Sequence, residues 1–244
     1  GDPTYATPAA PSTRPAYLLG VVHLAGANNT VWRSDVVVGN VTGVAAEVEV
    51  EFFLEGAPSV NPPSRTVSIL PGTATHLPDV VDRLFETEGK GALRIVPRAA
   101  EVVVSGRTFN VATGGTYGQA LPGLSATDLV EYPDQARLVH LAAWSGKSPG
   151  FRTNLGLMAT TPTVVAVELF RGDGVALGDL RVDLEADQFV QLNDVFRRVT
   201  DNDVADGFAV VRSLETGGAF FAYASVIDNV SGDPVFIPAV VDER

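Results

Sequence analysis

The chain repeats itself, and this constrains its fold more than any other feature. Sliding the sequence along itself by about 115–119 residues aligns similar segments in the same order. Val22-His23-Leu24-Ala25 meets Val139-His140-Leu141-Ala142, and Trp32-Arg33-Ser34-Asp35 meets Phe151-Arg152-Thr153-Asn154. Val50-Glu51-Phe52-Phe53 meets Val167-Glu168-Leu169-Phe170, and His76-Leu77-Pro78-Asp79-Val80 meets Gln191-Leu192-Asn193-Asp194-Val195. Gly91-Ala92-Leu93 meets Gly207-Phe208-Ala209, and both halves close on a proline, Pro122 and Pro238. A fold that suits one half must suit the other. The chain is therefore expected to divide into a Pro-rich tail (1–16), a module (17–124), a linker (125–135) and a second module (136–244).

The dominant period inside each copy is two. In Ala46-Glu47-Val48-Glu49-Val50-Glu51-Phe52 the valines face one way and the glutamates the other. Seven strand-like runs lie near 17–25, 31–39, 45–54, 65–70, 91–96, 101–110 and 116–121, parted by turns such as Pro71-Gly72 and Gly114-Gly115. One helical stretch, 79–85, interrupts them. Asp79 is placed to cap it, and Asn193 caps its counterpart over 194–199. Seven short strands without βαβ alternation predict an all-β fold of two tandem immunoglobulin-like Greek-key β-sandwiches, with a jelly roll as the nearest competitor.

The Trp32-Arg33-Ser34-Asp35 strand and the Gly232-Asp233-Pro234-Val235-Phe236-Ile237-Pro238 ending resemble tandem modules of uncharacterised secreted bacterial proteins. The resemblance spans residues 17–240 and implies immunoglobulin-like spacers or adhesive units. It brings no catalytic motif with it.

Composition narrows the function. A net charge of −12 argues against nucleic acid, whose phosphates would be repelled. The charge is uneven: residues 1–124 carry 8 basic and 11 acidic side chains, residues 125–244 carry 9 and 18. With no cysteine there are no disulfides, thiol nucleophiles or thiolate metal sites. No apolar run approaches the roughly 20 residues that span a bilayer, so membrane insertion is not expected. The chain opens Gly1-Asp2-Pro3 and reads as processed or trimmed, a removed signal peptide being one expectation.

A polar residue at the same place in both copies is expected to be scaffold. By that test His23/His140 and Arg33/Arg152 are structural, and His76, opposite Gln191, is the odd histidine. Glu47, Glu49 and Glu51 are expected on a solvated face that discourages edge pairing. Gly-x-Ser-x-Gly, phosphate-cradling and His-Glu-x-x-His motifs are absent from the sequence, so no enzyme and no cofactor are expected. Asp201, Asp203 and Asp206 offer oxygen ligands for Ca²⁺, although their spacing departs from an EF-hand loop. Trp144 could stack on a sugar. Asn28, Asn40 and Asn229 each begin a glycosylation triplet.

The contrast between the copies suggests an interface. Glu47 and Glu49 align with Val164 and Ala166, and Arg107 aligns with Ala224. Neighbouring third and sixth strands would then gather Val164, Ala166, Phe220, Ala222 and Ala224 into one outward apolar patch, covered by protein. The leading expectation is an extracellular or cell-surface structural or adhesive protein that associates with itself or with another surface protein, as in a fibre or surface layer. A carbohydrate- or other ligand-binding module and a protease-inhibitor-like sandwich are the alternatives.

Overall fold

The computed structural model describes residues 12–26, 30–112, 115–145 and 150–242. Most of the Pro-rich tail, Asn28, Gly114 and residues 146–149 of the Trp144 loop lie outside them. The chain divides into two compact units: Gly1–Glu55 with Asn61–Thr127, and Gly56–Val60 with Asp128–Arg244.

Unit 1 contains β1 (Ala16–Ala25), β2 (Val31–Asn40), β3 (Ala46–Leu54), β4 (Ser64–Ile69), β5 (Ala74–Leu77), α1 (Val80–Phe85), β6 (Gly89–Pro97), β7 (Val102–Ala112) and β8 (Gly115–Pro122). All seven expected strands occur. β5 was not foreseen, because Ala74-Thr75-His76-Leu77 is short and lacks apolar alternation. The sheet path runs β4-β3-β6-β1-β2-β7-β8, with β5 paired to β2. Ala16–His23 of β1 pair with β6, and Leu24 and Ala25 pair with β2.

The alternation in β3 sets its faces. Val48 and Val50 are fully buried, while Glu47 is exposed. β3 is an interior strand between β4 and β6, so its carboxylates do not guard an edge. They pair across the sheet instead. Glu51 sits opposite Arg94, whose Nε and terminal nitrogen donate to its two oxygens at 2.5 and 3.2 Å. Glu49 takes Arg98.

Unit 2 contains β9 (Val130–Glu131), β10 (Gln135–Ala143), β11 (Phe151–Ala159), β12 (Thr163–Arg171), β13 (Ala176–Leu184), β14 (Phe189–Leu192), a 3-10 turn (Val195–Arg198), β15 (Val204–Ser213), β16 (Ala219–Asp228), β17 (Pro234–Pro238) and β18 (Val240–Asp242). One sheet runs β13-β12-β15-β10-β18, and the other β14-β11-β16-β17 with β9 on β16. A single core lies between them. Leu138, Val165, Val167, Ala209 and Val211 enter it from the first sheet, and Leu155, Leu157, Phe220, Ala222 and Ala224 from the second. Each large side chain buried this way contributes about 1.5–3 kcal/mol.

The two orders correspond strand for strand: β4-β3-β6-β1 with β13-β12-β15-β10, and β5-β2-β7-β8 with β14-β11-β16-β17. The molecule is all-β apart from its short helical turns, and its sheets are antiparallel. The strand order departs from the expectation at one point. The third expected strand (β3, β12) does not adjoin the sixth (β7, β16); it pairs with β6 or β15. The sixth pairs with β2 or β11.

The helical turns follow the expected positions but not the expected caps. Asp79 and Asp194 precede them in the left-handed region, φ 46° and 47°, which aspartate adopts more readily than most residues. Neither side chain caps its turn, and Asp194 holds the place expected of Asn193. The Asp79 carboxylate turns to His23 and Arg33 instead.

Candidate functional site

A cluster of polar side chains of unit 1 surrounds that left-handed corner. The first turn of α1, the end of β1 and the middle of β2 converge there. Asp35 on β2 accepts the Asp79 N–H through Oδ1 (3.0 Å) and Arg107 of β7 through Oδ2 (2.7 Å). His76 Nε2 lies 3.5 Å from the same Oδ2. Burial would raise the Asp35 carboxyl, but the Asp79 N–H, the Arg107 bond and charge, and His76 outweigh it, so the group sits below its ordinary value. Arg107 also lies over the Phe109 ring, 4.4 Å from its centroid.

Asp79 occupies the centre. Its Oδ1 is 2.9 Å from His23 Nδ1, and its Oδ2 is 3.5 Å from Arg33 Nε. Asp82, one turn on, brings a further carboxylate, and His23, Asp79 and Asp82 offer ligand atoms all within 4.8 Å of one another. The imidazole and the two carboxylates are donors of the kind that divalent metals take.

Unit 2 builds the same corner with different chemistry. Asp194 N donates to Asn154 Oδ1 at 3.0 Å, as Asp79 N does to Asp35. Gln191 stands in the place of His76. Arg197, third residue of the 3-10 turn, matches Asp82, third residue of α1. Asp194 Oδ1 is buried without a hydrogen-bond partner. Burial raises its carboxyl above the ordinary value, against the charges of Arg197 and Arg152.

The expected equivalence of His23 and His140 is overturned. Strand β1 bulges between Leu19 and Val21, and β10 between Leu138 and Leu141. Gly20 (φ 81°) and His140 (φ 62°) take the same left-handed place. Val22 N donates to Ser34 Oγ (2.7 Å), and Ala142 N to Thr153 Oγ1 (3.2 Å), so Val22 corresponds to Ala142. His23 therefore corresponds to Ala143. The repeated Val-His-Leu-Ala is a coincidence three residues out of register.

A second slip dissolves the expected patch. Ser105 pairs with Pro122 and Tyr223 with Pro238, so Arg107 corresponds to Ser225, not Ala224. A slip of one residue moves every side chain to the other face. Phe220, Ala222 and Ala224 point into the core of unit 2. Val164 and Ala166 lie on the outer face of the other sheet, and the five do not form one surface. Ala166 is flanked by Arg181 on β13 and Arg212 on β15. Two arginine stems beside an alanine account for its 6% exposure. The outward residues of β16 include Phe221 and Tyr223, which are buried.

The remaining candidates make contacts with their own neighbours. Arg197 donates to the Asp201 and Asn202 carbonyls (2.7 and 2.8 Å) and to Asp203 Oδ1 (2.6 Å). The Ser145 N–H and Arg197 hold the Asp203 carboxyl below its ordinary value. The carbonyl of Asp206 receives the Gly172 N–H. Of the three carboxylates considered for Ca²⁺, that of Asp203 is the one held by an arginine. Trp144 is 38% exposed and exchanges backbone hydrogen bonds with Phe151. Asn229 Nδ2 donates to the Trp144 carbonyl, while its Oδ1 accepts from Arg152. Asn40 is buried and donates to the Val44 carbonyl at 2.7 Å.

No family model and no curated protein matches the chain. Among solved structures it is similar to that of Thermotoga maritima 1070, with 16% identity and a TM-score of 0.38 over 46% of this chain and 94% of the other. It is also similar to the structure of infectious bursal disease virus Gx strain, with 10% identity and a TM-score of 0.19 over 94% and 76%. At these scores neither likeness bears on function.

Proposed function

We propose that the chain is a non-enzymatic structural or adhesive protein working outside the cell or on its surface, with self-association as its physical activity. One observation carries this reading. The polar contacts common to both units hold backbone rather than present reactive groups: Ser34 and Thr153 each accept an N–H of the neighbouring strand, and Asp35 and Asn154 each pin the left-handed corner. A duplicated scaffold whose shared polar groups serve the scaffold suits a spacer or adhesive module better than a catalyst. The immunoglobulin-like label then stands for layered Greek-key sandwiches in tandem, without that family's strand order.

Self-association has a revised surface. Phe170 and Phe208, opposite each other on β12 and β15, stack with centroids 4.8 Å apart on the outer face of their sheet. Val139, 54% exposed, lies on that face of β10. Apolar groups in such a row favour burial against a partner. Among the described residues no helix is long and apolar enough to cross a membrane.

Sedimentation velocity over a wide concentration range tests the reading. Association is expected to grow with concentration and to weaken in Phe208→Lys, because a charge in a desolvated interface costs several kcal/mol. A monomer at every concentration would discard self-association. Saturable glycan binding abolished by Trp144→Ala would favour the carbohydrate reading instead.

A further inference from the structure

We propose that His23, Asp79 and Asp82 of unit 1 form a binding site for a divalent cation of the zinc class. The three residues come from the end of β1, the left-handed corner and the first turn of α1, and their donor atoms lie within 4.8 Å of one another. An imidazole nitrogen with carboxylate oxygens is a set that borderline divalent metals accept, and harder cations such as Ca²⁺ favour oxygen alone. In a tetrahedral shell with bonds of about 2.0–2.2 Å, donor atoms stand roughly 3.3 Å apart. His23 Nδ1 and Asp79 Oδ1, at 2.9 Å, are already close to that spacing. Asp82 is exposed and His23 half-buried, so the cluster opens to solvent at one side.

The surroundings orient the central ligand. The backbone N–H of Asp79 is tied to Asp35, and Arg33 stands 3.5 Å from Oδ2. Oδ1 is thereby directed at His23. Outer partners of this kind fix a ligand's orientation.

The second unit supplies the independent argument. On the same corner it carries Ala143, Asp194 and Arg197 where unit 1 carries His23, Asp79 and Asp82. The scaffold therefore requires neither the imidazole nor the second carboxylate. Unit 2 furnishes its own positive charge: Arg197 acts on the raised Asp194 carboxyl. Unit 1 replaces that arginine with an aspartate and adds a histidine. Its corner keeps Arg33 but has exchanged the second built-in cation for donors that would hold an external one, and the remaining coordination positions are left to water or to a carboxylate of a partner.

The experiment is calorimetric titration of the untagged full chain with ZnCl₂. One Zn²⁺ per chain is expected, with an upward shift of the unit 1 thermal transition. Outer partners alone alter metal affinity about 10–100-fold, so loss of a ligand should weaken binding by more than about tenfold. His23→Ala and Asp82→Arg copy the residues of unit 2 and are expected to fold with unchanged far-ultraviolet circular dichroism. Both should lose the affinity, while His140→Ala should keep it. Asp82→Asn is a gentler second variant with the same expected direction. If wild type binds no Zn²⁺ up to about 1 mM, a concentration corresponding to only −4.1 kcal/mol, the site does not exist. If it binds but His23→Ala and Asp82→Asn bind equally well, the metal is an adventitious ion only, and the proposal is overturned.

Discussion

The two units solve one packing problem in opposite ways. Val37 and Ser105 face each other across β2 and β7, and Gly156 and Tyr223 are the corresponding pair across β11 and β16. Unit 1 places a medium residue beside a small one. Unit 2 places no side chain beside a large one, and Tyr223 lies across Gly156 to reach Gln191 Oε1 at 2.9 Å. Its ring also stacks on Phe236, 5.1 Å away. The corner before each helical turn shows the same lesson in charge: a paired aspartate in unit 1, a strained one in unit 2. Equivalent backbone positions tolerate either solution provided that both partners change together.

The largest expected effect breaks the first comparison. A Cβ on Gly156 would sit 2.0 Å from the Tyr223 ring. Gly156→Val should therefore cost about 3 kcal/mol or more in urea titration, in the upper range for overpacking. Combined with Tyr223→Ser, which copies unit 1, it should show a favourable coupling of about 0.5–3 kcal/mol. Strict additivity would show that the two positions are not a matched pair.

The next effect separates the two aspartates. Asp79→Asn removes the charge that is hydrogen-bonded to His23 and faces Arg33 at 3.5 Å, and is expected to cost about 1–3 kcal/mol. Asp194→Asn should be neutral or slightly stabilising at pH 7. A carboxyl with a raised folded pKa contributes unfavourably as pH climbs through its unfolded value of about 3.9 toward the folded one. Any gain from Asp194→Asn should therefore vanish below that window. Equal losses in both variants would erase the distinction between the corners.

A smaller effect concerns acid. The folded pKa of Asp35 is depressed, so its stabilisation is complete above the unfolded value of about 3.9 and is lost as pH falls through the folded value. Asp35→Asn should flatten the acid limb of unit 1 unfolding, whereas unit 2 already carries Asn154 there. The smallest effect is Ala166→Glu. Ala166 itself is 6% exposed beneath two arginine stems, but the longer glutamate would carry its charge outward between Arg181 and Arg212, where strand-face pairs change stability by about 0–1 kcal/mol. A far larger loss, or a fall in association, would mean that this face is covered by protein.

Period two in the sequence revealed the strands and the inner face of β3, and the repeat anticipated the common strand order. Registers within the repeat were harder to read. A bulge inserts residues without leaving a mark on hydrophobicity, so His140 aligned with His23 by letters while its backbone follows Gly20. One residue of slip near Arg107 sent Phe220, Ala222 and Ala224 to the wrong face. The Pro122/Pro238 match held the correct register for β16. The cluster of His23, Asp79 and Asp82 was invisible because His23 lies far in sequence from the two aspartates and meets them only in the folded unit.

Strand β1 of unit 1 belongs to two ladders, seven of its first eight residues paired with β6 around the Gly20 bulge and its last two with β2. Tension applied along it would load both ladders in shear, so hydrogen bonds would have to fail together rather than peel one by one. A chain under such a pull would gain mechanical toughness from this seam without a disulfide or any added residue.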